Sequence, residues 1–347
     1  MNRRDFLAAC AGIGPALAAS PPERTSLGVV IHSYGMRLAA DRARGAGQGI
    51  AHPLGFLDYC RSLGAGGVQV EIGVRDTAYA TRLREATERA GMYLEGSIRL
   101  PRDHTDLDRF AAEVRTASAA GASVLRTVLL SGRRYETFNS AAAFREFAER
   151  SWRSLTLAEP IVARHDLKLA VENHKDWRAD ELVAILKRLD SQHVGTCVDT
   201  GNSIALLEDP YEVIEALAPR ALAVHLKDMA VAEYADGFLL AEVPLGEGFL
   251  DLNRIIRTLR GANSSIRFSL EMITRDPLKV PCLTEKYWAT FEDLPGRYLA
   301  RTLALVRAHA SQRPLPMVSG LDPEEKIRIE DENVRRCLDF AKTRLGL

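Results

Sequence analysis

The sequence predicts a (β/α)8 barrel, a TIM barrel forming a single domain, and three observations carry that prediction. Eight short β-branched or apolar runs alternate with longer stretches of helical period. Polar residues end four successive apolar runs, as they do where barrel strands open onto a common mouth. No G-x-G-x-x-G turn follows the first run, which argues against a doubly wound sheet; Gly45-Ala46-Gly47-Gln48-Gly49 lies well beyond it and reads as a flexible loop. The 347 residues, 46% hydrophobic and 7% aromatic, suffice for one large core.

Residues 1–20 stand apart from the fold. Asn2-Arg3-Arg4-Asp5-Phe6-Leu7 leads into a weakly apolar run and then Ala16-Leu17-Ala18 before Pro21-Pro22, the pattern of a twin-arginine signal peptide with a small-residue cleavage site. The expected location is therefore periplasmic, by export in the folded state. Strands are expected at 27–33, 67–72, 93–98, 123–130, 168–172, 194–199, 221–227 and 266–271. Helices are expected between them at 54–62, 76–90, 107–120, 141–164, 179–189, 210–217 and 252–259, with an eighth at 297–308, so that the barrel occupies 25–311. Two connections, 229–248 and 273–295, are long enough to act as lids or binding segments on the C-terminal face. Pro314 and Pro316 then break the chain, and 322–345 reads as a charged helix, making 312–347 a C-terminal helical extension suited to packing or to a homo-oligomer contact.

Composition narrows the partners. Lys+Arg and Asp+Glu both number 46, so no basic excess exists to neutralise a phosphate backbone, and nucleic acid is not an expected partner. No segment after the signal is long and apolar enough to span a bilayer. Cys60, Cys197, Cys282 and Cys337 are scattered with no C-x-x-C, which indicates neither structural zinc nor a disulfide framework, although an export compartment permits a bridge such as Cys282 to Cys337.

The chemistry sits at the ends of the fifth to eighth strands: Glu172-Asn173-His174, Asp199-Thr200-Gly201-Asn202, His225-Leu226-Lys227-Asp228 and Leu270-Glu271. Neighbouring strand ends of a barrel converge, so Glu172, Asp199, His225 and Glu271 are expected to meet. Three carboxylates and an imidazole suit a divalent ion; the oxygen donors favour Mn2+ or Mg2+, with Co2+ and Zn2+ as alternatives. Any one of these residues alone is as readily a helix cap or a satisfied core histidine. Four in consecutive strands are not explained by capping, and three carboxylates buried without a cation would protonate or cost on the order of several kcal/mol.

Weaker candidates for substrate contact surround this set. His174 and Lys227 each lie two residues from a proposed ligand, on the same face if strand geometry persists. Glu71 and His32 end the second and first strands, and Trp288, with Tyr287 and Phe291, is placed to stack on a ligand ring or to pack under a lid.

These four motifs in order, with Pro244-Leu245-Gly246-Glu247-Gly248 leading into Leu250-Asp251, resemble the xylose-isomerase-like barrel superfamily of sugar isomerases and epimerases over residues 27–310. The resemblance implies that Glu172, Asp199, His225 and Glu271 are metal ligands and that Glu172 and Glu271 double as acid/base groups. It implies a small-molecule sugar or glycoside as substrate. The ketohexose epimerase branch carries a His where this chain has Asn202, and an Arg after the strand-seven His that finds no match in 226–234. Those departures separate the chain from epimerases acting at carbon three of a free ketohexose, and make Asn202 a further candidate substrate contact. Proton transfer beside a metal-chelated carbonyl gives isomerisation or epimerisation; with a leaving group on the adjacent carbon, the same step gives lyase chemistry on oxidised glycosides. Nucleic-acid cleavage, known for apurinic endonucleases of this barrel type, is disfavoured by only 8 histidines and a neutral charge.

Overall fold

The computed structural model describes residues 24–45 and 49–347, and the expected signal segment lies outside them. The first half of the barrel runs β1 (Gly28–Val30), α1 (Gly35–Arg44), α2 (Pro53–Ser62), β2 (Gly67–Val70), α3 (Thr77–Ala90), β3 (Tyr93–Ser97), α4 (Leu107–Ala119) and β4 (Val124–Thr127). A short α5 (Arg134–Thr137) and a long α6 (Ala141–Arg164) lead to β5 (Lys168–Glu172), α7 (Ala179–Leu189), β6 (Val194–Asp199), α8 (Pro210–Leu217) and β7 (Ala221–Leu226). There follow β8 (Asp228–Tyr234), β9 (Gly237–Val243), α9 (Leu252–Ala262), β10 (Phe268–Leu270), β11 (Leu278–Val280), α10 (Glu285–Trp288), α11 (Arg297–Ala308) and α12 (Pro323–Phe340).

The parallel strands close in the order β1-β10-β7-β6-β5-β4-β3-β2, which is the expected (β/α)8 barrel. Strands such as β6 are buried along their whole length, as parallel strands covered by helices must be. Helix starts follow local chemistry: Asp76, Ser140, Asp209, Asp251 and Asp322 each accept a backbone N–H of the first turn, and Pro53, Pro210 and Pro323 occupy first-turn positions where no N–H is missed.

Two features differ from the sequence expectation, and a point it left open, the pairing of two cysteines, is decided. Helix α1 was not anticipated because it lacks an apolar stripe; only Asp41 of its residues is buried. The two long connections are not separate lids: β8 and β9 form a hairpin, β11 adds to β9, and together they make a three-stranded antiparallel sheet. Cys282 and Cys337 are buried and free, not bridged.

The terminal helix packs within the chain. Glu330 accepts the Met36 and Arg37 N–H groups at 2.8 and 3.0 Å, and Thr25 Oγ1 donates to the Leu347 carbonyl at 2.7 Å. The turn at 244–248 wraps the Asp228 carboxylate, which accepts N–H groups of Met229, Gly246, Gly248 and Leu250 at 2.9 to 3.2 Å. Glycine is required twice there: a Cβ on Gly248 would stand 2.1 Å from Asp228 Oδ1, and Gly246 has φ +85° with Phe340 of α12 against it. Asp228→Ala leaves four N–H donors without this acceptor, those of Met229 and Leu250 buried, and is expected to lower the unfolding free energy by about 2 kcal/mol in urea denaturation, while Asp228→Asn retains part of that loss.

Candidate metal centre at the barrel mouth

Side chains two apart on a strand share a face, and here that parity builds the site. Val124, Ala170, Cys197 and Ala223 pack together as one buried layer inside the barrel. One step further along the same faces come Arg126, Glu172, Asp199 and His225. Small residues below leave room for the polar layer above. The register sets Asp199 beside His225 and His225 beside Ser269, two residues before Glu271.

Glu172, Asp199, His225 and Glu271 are all buried, and one ligand atom from each lies within 4.8 Å of the others. The His225 Nδ1 atom has no hydrogen-bond partner; it faces Glu172 Oε2 at 3.4 Å, Glu271 Oε1 at 3.5 Å and Asp199 Oδ2 at 3.9 Å. Its other nitrogen, Nε2, lies 2.8 Å from Gln69 Oε1, whose amide nitrogen donates to Glu95 Oε2 at 2.9 Å. An amide oxygen can only accept, so Nε2 carries a proton and Nδ1 is the atom left for a cation. An orphaned imidazole nitrogen facing three carboxylates fits a divalent ion. Cys197 Sγ also approaches Glu172 and His225, but burial pushes its thiol up to about 11, so the oxygen-rich set is the better binder at neutral pH.

The motif residues around the quartet lock the strand ends. Asp199 Oδ1 accepts the Gly201 and Asn202 N–H groups at 2.9 and 2.8 Å, which aims Oδ2 inward. Asn173 bridges β5 and β6 through the Asp199 N–H and carbonyl, at 2.7 and 2.9 Å. Thr200 Oγ1 ties β6 to β7 by accepting the Lys227 N–H at 2.8 Å.

Charge is balanced locally. Arg126 Nε stands 2.6 Å from Glu172 Oε2, and Asn202 Nδ2 donates to Glu172 Oε1 at 3.0 Å. Lys227 Nζ stands 2.6 Å from Glu271 Oε2 and 3.0 Å from Asp199 Oδ2. Glu242 of β9 meets Arg275, with nitrogens at 2.5 and 3.1 Å from its two oxygens, and Lys175 caps Asn202 Oδ1. Burial pushes the Glu172 and Glu271 carboxyls up, but Arg126 beside the first and Lys227 beside the second more than reverse this and hold both below the usual range. Burial raises Asp199 more than Lys227 lowers it. Burial disfavours a charged His225 ring, yet Cys197, Glu271 and Glu172 hold its pKa well above the ordinary value, so an entering cation displaces a proton.

The weaker candidates scatter. Lys227 and Asn202 are buried in the centre, bonded to its carboxylates. His174 is half-buried with Nδ1 unpaired, and burial together with Lys175 pushes it down to about 3. β5 ends at Glu172, yet His174 still feels the charges of Glu172, Glu271 and Lys227, and Lys175 reaches the centre as well. His32 and Glu71 line the cavity of about 1120 Å³ at the mouth. Trp288 does not line it; its Nε1 donates to the Cys282 carbonyl at 2.9 Å and its ring packs edge-on against Tyr287. Sequence reasoning missed Arg126, Gln69, Glu95, Glu242 and Lys175. The first three are lone polar residues inside short buried strands, and parity with Val124 was the available signal for Arg126.

Comparison with known proteins agrees with this architecture. A 3-oxo-isoapionate decarboxylase of Pectobacterium atrosepticum is 28% identical over 232 residues, 64% of this chain and 79% of that protein. The crystal structure of D-psicose 3-epimerase in the presence of D-fructose superposes with a TM-score of 0.58 at 15% identity, covering 93% of this chain and 100% of the other. The apo 3-keto-D-glucoside 4-epimerase of E. coli superposes with a TM-score of 0.54 at 13% identity, over 82% and 100% of the two chains. At those identities the superpositions show the fold. Residues 57–290 match the xylose isomerase-like TIM barrel family, and the chain belongs to it.

Proposed function

We propose that the protein is a divalent-metal-dependent enzyme that moves a carbon-bound proton beside a sugar carbonyl, as a sugar isomerase or epimerase. The observation that carries this reading is the His225 Nδ1 atom, unpaired and facing Glu172, Asp199 and Glu271 at 3.4 to 3.9 Å. Glu172, Asp199, His225 and Glu271 would hold the ion, with Mn2+ or Mg2+ favoured by three oxygen donors and one nitrogen. A bound ion supplies Lewis acidity, which makes the carbon next to a chelated carbonyl acidic.

The protein groups then divide the proton work. Glu172 and Glu271 are the carboxylates placed to accept and return the carbon-bound proton. Arg126 and Asn202 hold one oxygen each of Glu172, which fixes its direction. Lys227 keeps Glu271 ionised and is the proton donor nearest to it. His32, Glu71 and His174 are proposed to contact the sugar. A second reading, supported by the 28% identical decarboxylase, ends the same carbanion chemistry by losing a group from the adjacent carbon, as a lyase acting on an oxidised sugar or glycoside.

We also propose export. The Asn2-Arg3-Arg4-Asp5-Phe6-Leu7 start and Ala16-Leu17-Ala18 support a cleaved twin-arginine signal, and no helix among the described residues is long and apolar enough to cross a membrane. Fractionation of cells expressing the full chain should recover processed protein in the periplasm, and Arg3→Lys/Arg4→Lys should leave it uncleaved inside; cytoplasmic retention of the unaltered chain would sink the proposal.

Glu172→Gln and Glu271→Gln are each expected to cut turnover by about 10³-fold or more with the fold intact. Solvent-deuterium incorporation, followed by NMR across free, oxidised and glycosylated sugars, reads the carbon attacked and separates isomer from released aglycone or carbon dioxide. Full exchange by chelated, metal-free protein would refute the metal role. Gln69→Leu removes the bond that orients His225 and should weaken Mn2+ affinity by about 10- to 100-fold in a direct titration, with the melting temperature little changed.

A further inference from the structure

The mouth cavity carries an excess of positive charge that the metal centre does not use. Besides Arg126, which the centre uses, Arg42, Arg75, Arg99, Arg102 and Arg150 line it, against two carboxylates, Glu71 and Asp103. The chain as a whole has equal numbers of basic and acidic residues, so this is a local concentration. We propose that this wall is an anion subsite and that the substrate is an acidic sugar, its carboxylate or phosphate held by Arg99 and Arg150 while its carbonyl end meets the metal centre. The proposal rests on the sugar-active reading given above.

Three further observations support it. Arg42, Arg99 and Arg150 have no ion-pair partner among the described residues, whereas surface arginines such as Arg109, Arg301 and Arg307 stand 2.6 to 3.0 Å from carboxylates. Glu113, whose carboxyl feels Arg99, is already paired with Arg109 at 2.9 Å. A guanidinium fork left open on a cavity wall is suited to a planar carboxylate or a phosphate.

Next, the carboxylates of the centre beneath already have cationic side chains beside them without an ion. Glu172, Asp199, Glu242 and Glu271 are matched by Arg126, Lys175, Lys227 and Arg275. A divalent ion therefore adds positive charge that these side chains do not compensate, and an anionic ligand does. Last, the cavity of about 1120 Å³ exceeds the roughly 300–1,000 Å³ usual for small-ligand sites, so a ligand filling it extends beyond one chelated sugar ring. Arg126 joins the two regions, lining the cavity and touching Glu172 at 2.6 Å.

The test is calorimetric binding of D-gluconate, D-glucose 6-phosphate and neutral D-glucitol to the Mn2+-loaded protein and to Arg99→Ala/Arg150→Ala. Both arginines are exposed, so the variant should fold, which its melting temperature checks. At least one anion should bind about tenfold tighter than D-glucitol, more weakly as salt is raised, and lose about tenfold in the variant, with Mn2+ and D-glucitol binding unchanged. Preference for gluconate assigns a carboxylate, and preference for the phosphate ester assigns a phosphate. Equal binding of all three, binding of neither anion, or anion affinity untouched by the double substitution would overturn the subsite while leaving the metal reading standing. Arginine-dependent anion binding by a protein that takes up no Mn2+ would remove the metal reading and keep the subsite.

Discussion

Three carboxylates sit together where water does not reach, and the mouth of the barrel is organised around keeping them charged. Glu172, Asp199 and Glu271 are supplied by three different strands, so parallel closure of the sheet forces them together whatever their mutual repulsion. The protein answers with fixed cations. Arg126 comes from β4, the strand paired with β5, Lys227 from the end of β7, and Arg275 and Lys175 from the connections above. Removing a single cation would leave a buried carboxylate uncompensated, which is more disruptive than removing the pair.

The same constraint explains why some of the site was legible in the sequence and some was not. Glu172, Asp199 and Glu271 each end an apolar run, so their position at a strand end was visible without coordinates. Arg126 and Gln69 lie within short runs, where a lone polar residue reads as part of the strand. Their role depends on which face they share, and that needs the register with Val124 and with His225. His174 was expected by extending the pleat of β5; the strand stops at Glu172, yet His174 still feels Glu172 and Glu271, and the turn also brings in Lys175, which the pleat did not indicate. The hairpin β8–β9 was hidden for another reason: its strands lie outside the barrel, and only pairing with each other and with β11 from the other long connection makes them a sheet.

The two sides of the mouth have different jobs. The ends of β5, β6, β7 and β10 carry a rigid donor set in which nearly every atom is committed to a neighbour. The ends of β1 to β4 border the open cavity, which is lined by arginines without ion-pair partners, such as Arg99 and Arg150, and by the edges of core side chains such as Ile98 and Phe147. Chemistry is thus built into one half of the ring and ligand choice into the other. This is why motifs drawn from the second half indicate a class of reaction and not a particular sugar.

Closure of the ring has a consequence for how the chain reaches its native state. β1 is bonded to β10, and the Thr25 side chain to the carbonyl of Leu347, across 322 positions. Contacts of such sequence separation form late and slowly, since the loop entropy of nearly the whole polypeptide must be lost first. During synthesis the first strand must therefore wait, one edge unsatisfied, until β10 has left the ribosome. The terminal helix, bound through Glu330 to the backbone that follows β1, then acts as the clasp that completes the molecule.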